Sequence, residues 1–379
     1  MNITIVADVF GKQNNGTTIT IRRLIDGLKK KGHNVKVISS FKTEEEGFVT
    51  LERRHFGVFD NYICKNGVEL AKPNREILTK ELKGSDIVHI VLPFKTGIMA
   101  SKICKELNIP FTTAFHCQPE NFSGNIGMQW FEPLNSYLYF RFKNRLYKRA
   151  NRVHCPSLFT ANQLKKHGYK TKNYVISNGV IPTFKKFEIE KPKELKDKFV
   201  ILYSARFSRE KMHKILLKAV KYSKYKDKLH LIFAGCGPQE QNIKNYANKN
   251  NVDVELNFYS KEELAKVINY SDLYVHPSEI EIEAISCLEA ITCGLVPVIA
   301  NSKKSATTQF ALTYDNLFKN KDSKNLAYKI DYWIENPDLK QKLSKQYQEY
   351  AKQFNIENSI DKMVEMFEDE IKEHKMINR

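Results

Sequence analysis

Short apolar runs alternate with longer stretches of helical periodicity along most of the chain. In the first half the strand-like runs are NITIVAD, VKVISS from residue 35, IVHIVL from 87, FTTAFH from 111, RVHCPS from 152 and YVIS from 174. Helical patterns fall near 17–31, 97–107 and 159–167. A second series has FVILYSAR from 199, LHLIFAG from 229, VELNFYS from 254, LYVHPS from 273 and VPVIA from 296. Its helical stretches are 211–223, 238–249, 261–270 and a segment holding Glu281 and Glu289. Alternation of this kind predicts an α/β chain with two doubly wound parallel sheets, each binding ligands beyond the carboxyl ends of its strands, across a central cleft.

Between the two series lies IPTFKKFEIEKPKELKDK, polar, charged and proline-bearing. The expected division is a first domain 1–183, a linker 184–198, a second domain 199–356 and a C-terminal helical segment 357–379 packing back on the first domain. A length of 379 residues, 42% of them hydrophobic, supports two cores. No run of 18 apolar residues occurs, and the opening MNITIVADVF is short and carries Asp8. Neither a spanning helix nor a signal peptide is expected, and the protein is expected in the cytoplasm. Seven cysteines without a CxxC argue for reduced, mostly core thiols and against a zinc site.

The net charge of +18 is uneven. Up to Lys186 there are 30 basic and 14 acidic residues, and beyond it 31 and 29. No acid lies between Glu132 and Glu188, where twelve basic residues occur. Within this stretch Arg141, Arg145, Lys148, Arg149 and Arg152 read as one helical stripe and Leu138, Phe142 and Leu146 as another, with Tyr137, Tyr139, Phe140 and Tyr147, and Trp130 and Phe131 just before it, adding aromatics. A basic amphipathic helix with aromatic residues suits an anionic membrane surface. An ordinary domain helix with a solvated basic face has the same pattern. No RNA-binding signature accompanies it, so nucleic acid is not an expected partner.

The candidate chemistry lies at strand ends. Glu281 and Glu289, eight residues apart, fall about 80° apart around one helix and about 12 Å apart along it if the helix starts at Glu281. Two carboxylates so placed can accept hydrogen bonds from the diols of a sugar and a ribose. A helix-start acid and a surface charge would look the same. Arg206 and Lys211 span a strand-to-helix turn, where a diphosphate finds fixed cations. Gly235 and Gly237 in FAGCGP, and Gly16 in KQNNGTT, permit close backbone approach to phosphate or sugar, as they would a simple tight turn. His116 and His276 each close a strand, and each could equally be a buried, locally satisfied histidine.

With these residues together, the chain resembles the retaining glycosyltransferases of family 4, which have the GT-B architecture. The likeness rests on Glu281-x7-Glu289 within EIEAISCLEAITCGLVPVIA, Arg206-x4-Lys211, the FAGCGP turn, SNGV at 177–180 and the NNGTT loop. It implies a nucleotide-sugar donor on the second domain and an acceptor on the first. Arg206 and Lys211 would bind the diphosphate and neutralise the leaving group, Glu281 would hold donor-sugar hydroxyls and Glu289 the ribose. Gly16 would lie near the phosphates, His116 near the reacting centre and Gly235, Gly237 and His276 along the donor. Neither a metal nor a cofactor is implied, and no covalent nucleophile is evident. Two positions depart from the family: Ile181 replaces the common acid after NGV, and IEAIS with Glu283 replaces a small-residue stretch. More narrowly, FHCQPEN, the cationic aromatic segment and EIEAISCLEAITCG resemble bacterial diacylglycerol glucosyltransferases. That likeness implies glucose transfer from UDP-glucose to a diacylglycerol-type lipid by a protein peripheral to the inner face of the cell membrane. A lipid-linked or nascent polysaccharide acceptor, or a non-catalytic nucleotide-sugar or nucleic-acid binding module, are the alternatives.

Overall fold

A computed structural model of the chain describes residues 1–11, 16–55, 57, 60, 69–124 and 128–377. The KQNN run before Gly16, and Cys64, lie outside the described residues. The chain divides into two compact units, Met1–Asn178 with Ile356–Arg379, and Gly179–Asn355.

In the first unit the strands are β1 (Asn2–Val6), β2 (Asn34–Ser39), β3 (Phe48–Thr50), β4 (Ile87–Ile90), β5 (Phe111–Ala114), β6 (Arg152–Cys155) and β7 (Lys172–Val175). They form one parallel sheet in the order β3-β2-β1-β4-β5-β6-β7. Every residue of β4, β5 and β6 is buried, as expected of strands covered on both faces, including the polar His89, Thr112, Thr113, Arg152 and His154. Buried Asp8, just beyond β1, accepts from the amides of Thr96 and Gly97 at 3.0 Å and so anchors the start of helix Lys95–Glu106.

The C-terminal helix Ile356–Ile377 packs on this unit through Ile360, Met363, Met366 and Phe367, against Ile21, Leu24 and Leu28 of helix Gly16–Lys30. A Cβ at Gly27 would stand 2.4 Å from Ile360, so glycine permits the close crossing. Arg152 overturns its sequence reading here. It opens β6, not a helix, and it is buried; its Nη1 lies 2.6 Å from Glu370 and its Nη2 2.5 Å from Glu373. Asn151 donates to the other oxygen of Glu370 at 3.0 Å and Tyr174 donates to Asp369 at 2.6 Å.

The second unit has β8 (Phe199–Ser204), β9 (Leu229–Ala234), β10 (Val254–Asn257), β11 (Leu273–His276), β12 (Pro297–Asn301) and β13 (Leu317–Lys319), all parallel, in the order β10-β9-β8-β11-β12-β13. The stretch 184–198, read as a linker, belongs to this unit: Phe184 and Leu195 are buried in its core, and Lys191 pairs with Asp272 at 2.5 Å. A capping box at Ser260 and Glu263 starts helix Lys261–Tyr270. Cys104, Cys155 and Cys293 are core residues whose thiols burial pushes up to about 12.

Candidate active site

Three strand ends of the second unit converge on one charged cluster. β8 leads through Ala205 and Arg206 into a 3₁₀ turn, Arg209–Lys211; β9 leads into Gly235–Gly237; β11 ends at His276 and leads to Glu281. Lys211 Nζ lies 2.6 Å from Glu281 Oε1, and His276 Nε2 lies 3.1 Å from the same oxygen. Behind them, the Tyr274 hydroxyl stands 3.2 Å from His276 Nδ1 and 3.0 Å from Ser286 Oγ. Burial alone would raise the Glu281 carboxyl, but Lys211 and His276 outweigh it and hold it down at about 2. Burial lowers the pKa of His276, with Glu281 opposing. The cluster therefore pairs Lys211 with a carboxylate, and a neutral imidazole donates to that carboxylate. Arg206 Nη2 lies 3.5 Å from Glu210 Oε1, which also accepts from Ser208 Oγ at 2.5 Å. Both candidate phosphate-binding cations thus have a nearby acid, and Glu210 is a member of the site that sequence reading missed.

The backbone that carries these groups is conformationally expensive. Met212 directly after Lys211 and Ala284 three residues after Glu281 have φ of 55° and 71°, a region costly for a residue with a Cβ. Ala284 forms the N-terminal boundary of helix Ile285–Thr292, so Glu281 does not lie on that helix. The shared-helix geometry expected for Glu281 and Glu289 is therefore corrected. Glu281 sits in the loop before the helix, bridged to Ser305 and accepting from the Ala306 amide at 2.8 Å, while Glu289 lies on the helix and is buried. A solvated surface charge no longer describes Glu289. The helix expected from residue 211 likewise starts at His213, after the strained Met212.

Gly235 and Gly237 serve close backbone packing. A Cβ at Gly235 would stand 2.1 Å from the Ala205 carbonyl oxygen, and one at Gly237 2.7 Å from that of Phe207. Their small size lets the turn after β9 lie against the segment that carries Arg206. Buried Glu279, also unforeseen from sequence, meets Lys321 at 3.0 Å and Asn320 at 3.3 Å, while its amide donates to the Glu210 carbonyl at 3.0 Å. This last bond ties the loop after β11 to the loop after β8.

The other sequence-predicted residues belong to the first unit. Gly16 opens helix Gly16–Lys30, and nothing within 4 Å would meet a Cβ there. His116, two residues past β5, is partly buried; burial, His154 and His89 push its pKa well below the ordinary imidazole value. In helix Glu132–Arg145, Leu138 and Phe142 turn inward, as the apolar stripe predicts. Tyr139 and Tyr147 are buried with them, contrary to the aromatic surface read from sequence. Met128, Trp130, Phe131, Tyr137 and Phe140 are exposed, as are Arg141, Arg145 and Lys148, whereas Arg149 is half-buried. No helix among the described residues is long and apolar enough to cross a membrane.

Comparison with known proteins matches residues 14–184 to the model described as Glycosyltransferase Family 4 and residues 184–354 to Glycosyl transferases group 1. The alpha-monoglucosyldiacylglycerol synthase of Streptococcus pneumoniae is 26% identical over 323 residues, covering 79% of this chain and 71% of that protein. A GDP-mannose-dependent alpha-mannosyltransferase of Mycolicibacterium smegmatis is 25% identical over 313 residues, 79% of each chain. The structure of HepE from Anabaena in complex with UDP and glucose matches with a TM-score of 0.76 at 16% identity, over 97% of this chain and 100% of that one. With both halves matched in order and two Rossmann-like parallel sheets, the chain belongs to the GT-B glycosyltransferases that join a family 4 domain to a group 1 domain.

Proposed function

We propose that this protein is a retaining hexosyltransferase that moves glucose from UDP-glucose to a diacylglycerol-type lipid at the inner face of the cell membrane. Arg206 and Lys211 would exchange their carboxylate partners for the donor diphosphate. Glu281, released from Lys211, would take donor-sugar hydroxyls, and Glu289 the ribose diol. The bond from the anomeric carbon to the phosphate oxygen breaks and its electron pair leaves with UDP, whose negative charge Arg206 and Lys211 offset. The acceptor hydroxyl attacks from the face the diphosphate leaves, and its proton passes to the departing phosphate oxygen. Configuration is thereby kept without a covalent intermediate. His116 would stand near this reacting centre, on the acceptor domain.

The lipid acceptor rests on one observation: Tyr137 and Phe140 are exposed in the same segment as Arg141, Arg145 and Lys148, within a stretch free of acids between Glu132 and Glu188, and Trp130 and Phe131 are exposed just before it. Each basic residue near an anionic surface contributes about 1 kcal/mol of attraction, and the aromatic rings suit the headgroup level. The Streptococcus pneumoniae relative, named for a glucosyldiacylglycerol product, supports the same reading. A second donor, GDP-mannose, is favoured by the mycobacterial relative at nearly equal identity.

Labelled UDP-glucose, UDP-galactose, UDP-N-acetylglucosamine and GDP-mannose, each with diacylglycerol in anionic vesicles, test the proposal by product analysis. Glucolipid from UDP-glucose is the expected product. Transfer from GDP-mannose alone overturns the donor, and transfer only to a soluble or polysaccharide acceptor overturns the lipid. Neutralising Arg141, Arg145 and Lys148 together is expected to weaken vesicle binding, as is added salt. Unchanged binding refutes the membrane role of this face.

A further inference from the structure

The first unit holds a partly open pocket with about 20 Å³ of space, bounded by helix Gly16–Lys30, the C-terminal helix and three histidines, His89, His116 and His154. Strand register brings the three together. His89 on β4 pairs with Thr112 on β5, His154 on β6 pairs with Ala114, and His116 follows Ala114 by two residues. Alternation along β5 puts Thr112, Ala114 and His116 on one face, so their partners share it. His116 and His154 rings stand 5.1 Å apart and nearly perpendicular, those of His89 and His154 6.4 Å apart.

Each buried ring has one nitrogen satisfied and one not. His154 Nε2 lies 2.7 Å from the Ile176 carbonyl oxygen, and His89 Nδ1 lies 2.9 Å from the Thr112 hydroxyl. His154 Nδ1 and His89 Nε2 have no hydrogen-bond partner among the described protein atoms, although the residues are only 4% and 1% exposed. A carbonyl only accepts, so His154 carries its proton on Nε2 and presents a lone pair at Nδ1. A Thr112 hydroxyl donating to His89 Nδ1 leaves His89 with an Nε2–H to donate. Burial holds both rings neutral, His89 down at about 3, with His154 contributing, and His154 at about 4. Two residues that line the same small pocket thus bring to it one donor and one acceptor without a partner, each costly if left unmade, beside a space that fits one water.

We propose that this cavity is a structural water site in which one water accepts from His89 Nε2–H and donates to His154 Nδ1, and that this bridge fixes the ring of His116. Its other proton is free for His116 or a neighbouring oxygen. His89 and His154 then act as positioning residues through His116, a role that rests on the reading of His116 as lying near the reacting centre. The water site itself does not depend on that reading.

Two measurements test it. A high-resolution crystal structure of the unaltered protein is expected to show a water within hydrogen-bond distance of both nitrogens, and ¹⁵N shifts to show His154 as the Nε2–H tautomer. An empty cavity, or His154 protonated on Nδ1, overturns the proposal. With the donor and acceptor identified, His154→Phe and Thr112→Val are expected to lower kcat roughly ten- to a hundredfold with the donor KM unchanged. His89→Phe combined with His154→Phe is expected to cost no more than the larger single effect, because both act through one water. A water in place with unaltered kcat in folded variants overturns the positioning role. Absence of any sugar transfer by the unaltered protein overturns the proposed function while the crystallographic water stands.

Discussion

Replacing Arg152 by alanine should loosen the C-terminal helix and destabilise the first unit severely. The guanidinium is 4% exposed and spans Glu370 and Glu373, of which Glu370 is 3% exposed and Glu373 47%. Without the arginine, Glu370 keeps only the Asn151 side-chain amide as a partner among the described residues and remains a buried carboxylate. Glu373 simply turns to water. Stranding one buried ion typically costs about 3–5 kcal/mol, which for a unit of this size lowers the melting temperature by roughly 10 °C or more. The Arg152→Met, Glu370→Met pair removes both charges and fills the space, so it should lie within about 1–2 kcal/mol of the original protein. Circular-dichroism melts of the three proteins, with limited proteolysis of the 356–377 helix, measure this. An Arg152→Ala protein that melts like the original refutes the reasoning, as does a double variant that falls as far as the single. The same variant separates two roles for basic residues. Arg152→Ala should leave vesicle binding of the folded protein intact, because the side chain faces the C-terminal helix and not the surface.

Three further expectations follow from the site. Lys211→Ala should cut kcat roughly 10²- to 10³-fold, with donor KM changing much less, because in the proposed reaction the lysine offsets charge that develops on the leaving diphosphate; equal kinetics in a steady-state assay would remove Lys211 from the reaction. Ala284→Gly should stabilise the protein by about 0.5–1 kcal/mol in denaturant melts, since glycine adopts the 71° φ without the Cβ cost; a loss of stability would show that the Ala284 side chain, not the backbone, governs that turn. His89, His154 and His213 are neutral in the fold, with burial holding them at about 3, 4 and 3, and the unfolded chain takes up their protons near 6.5. Their contribution is fully present above 6.5 and falls as pH drops toward 3–4, by about 2 kcal/mol apiece at pH 5. Melting temperatures that do not fall between pH 7 and 5 would contradict this.

Strand positions were readable because a parallel sheet covered on both faces demands near-continuous apolar runs, as in Phe199–Tyr203. The candidate residues Arg206, Lys211, His276 and Glu281 were readable because they sit at or just beyond strand ends, a topological address that a sequence pattern records. What escaped depends on backbone state or distant pairing. The periodicity of EIEAISCLEAIT continues a helix through Glu281; a glycine would have marked the left-handed residue, but Ala284 looks like a helix former. Arg152 was counted with the basic stripe because charge alone does not say which way a side chain faces, and its partner Glu370 lies 218 residues away. His89 and His154 look like core histidines until strand register places their unpaired nitrogens around one cavity. The charged cluster at the strand ends was therefore encoded locally, whereas the support proposed for His116 and the docking of the last helix were encoded in pairs of residues whose relation only the fold creates.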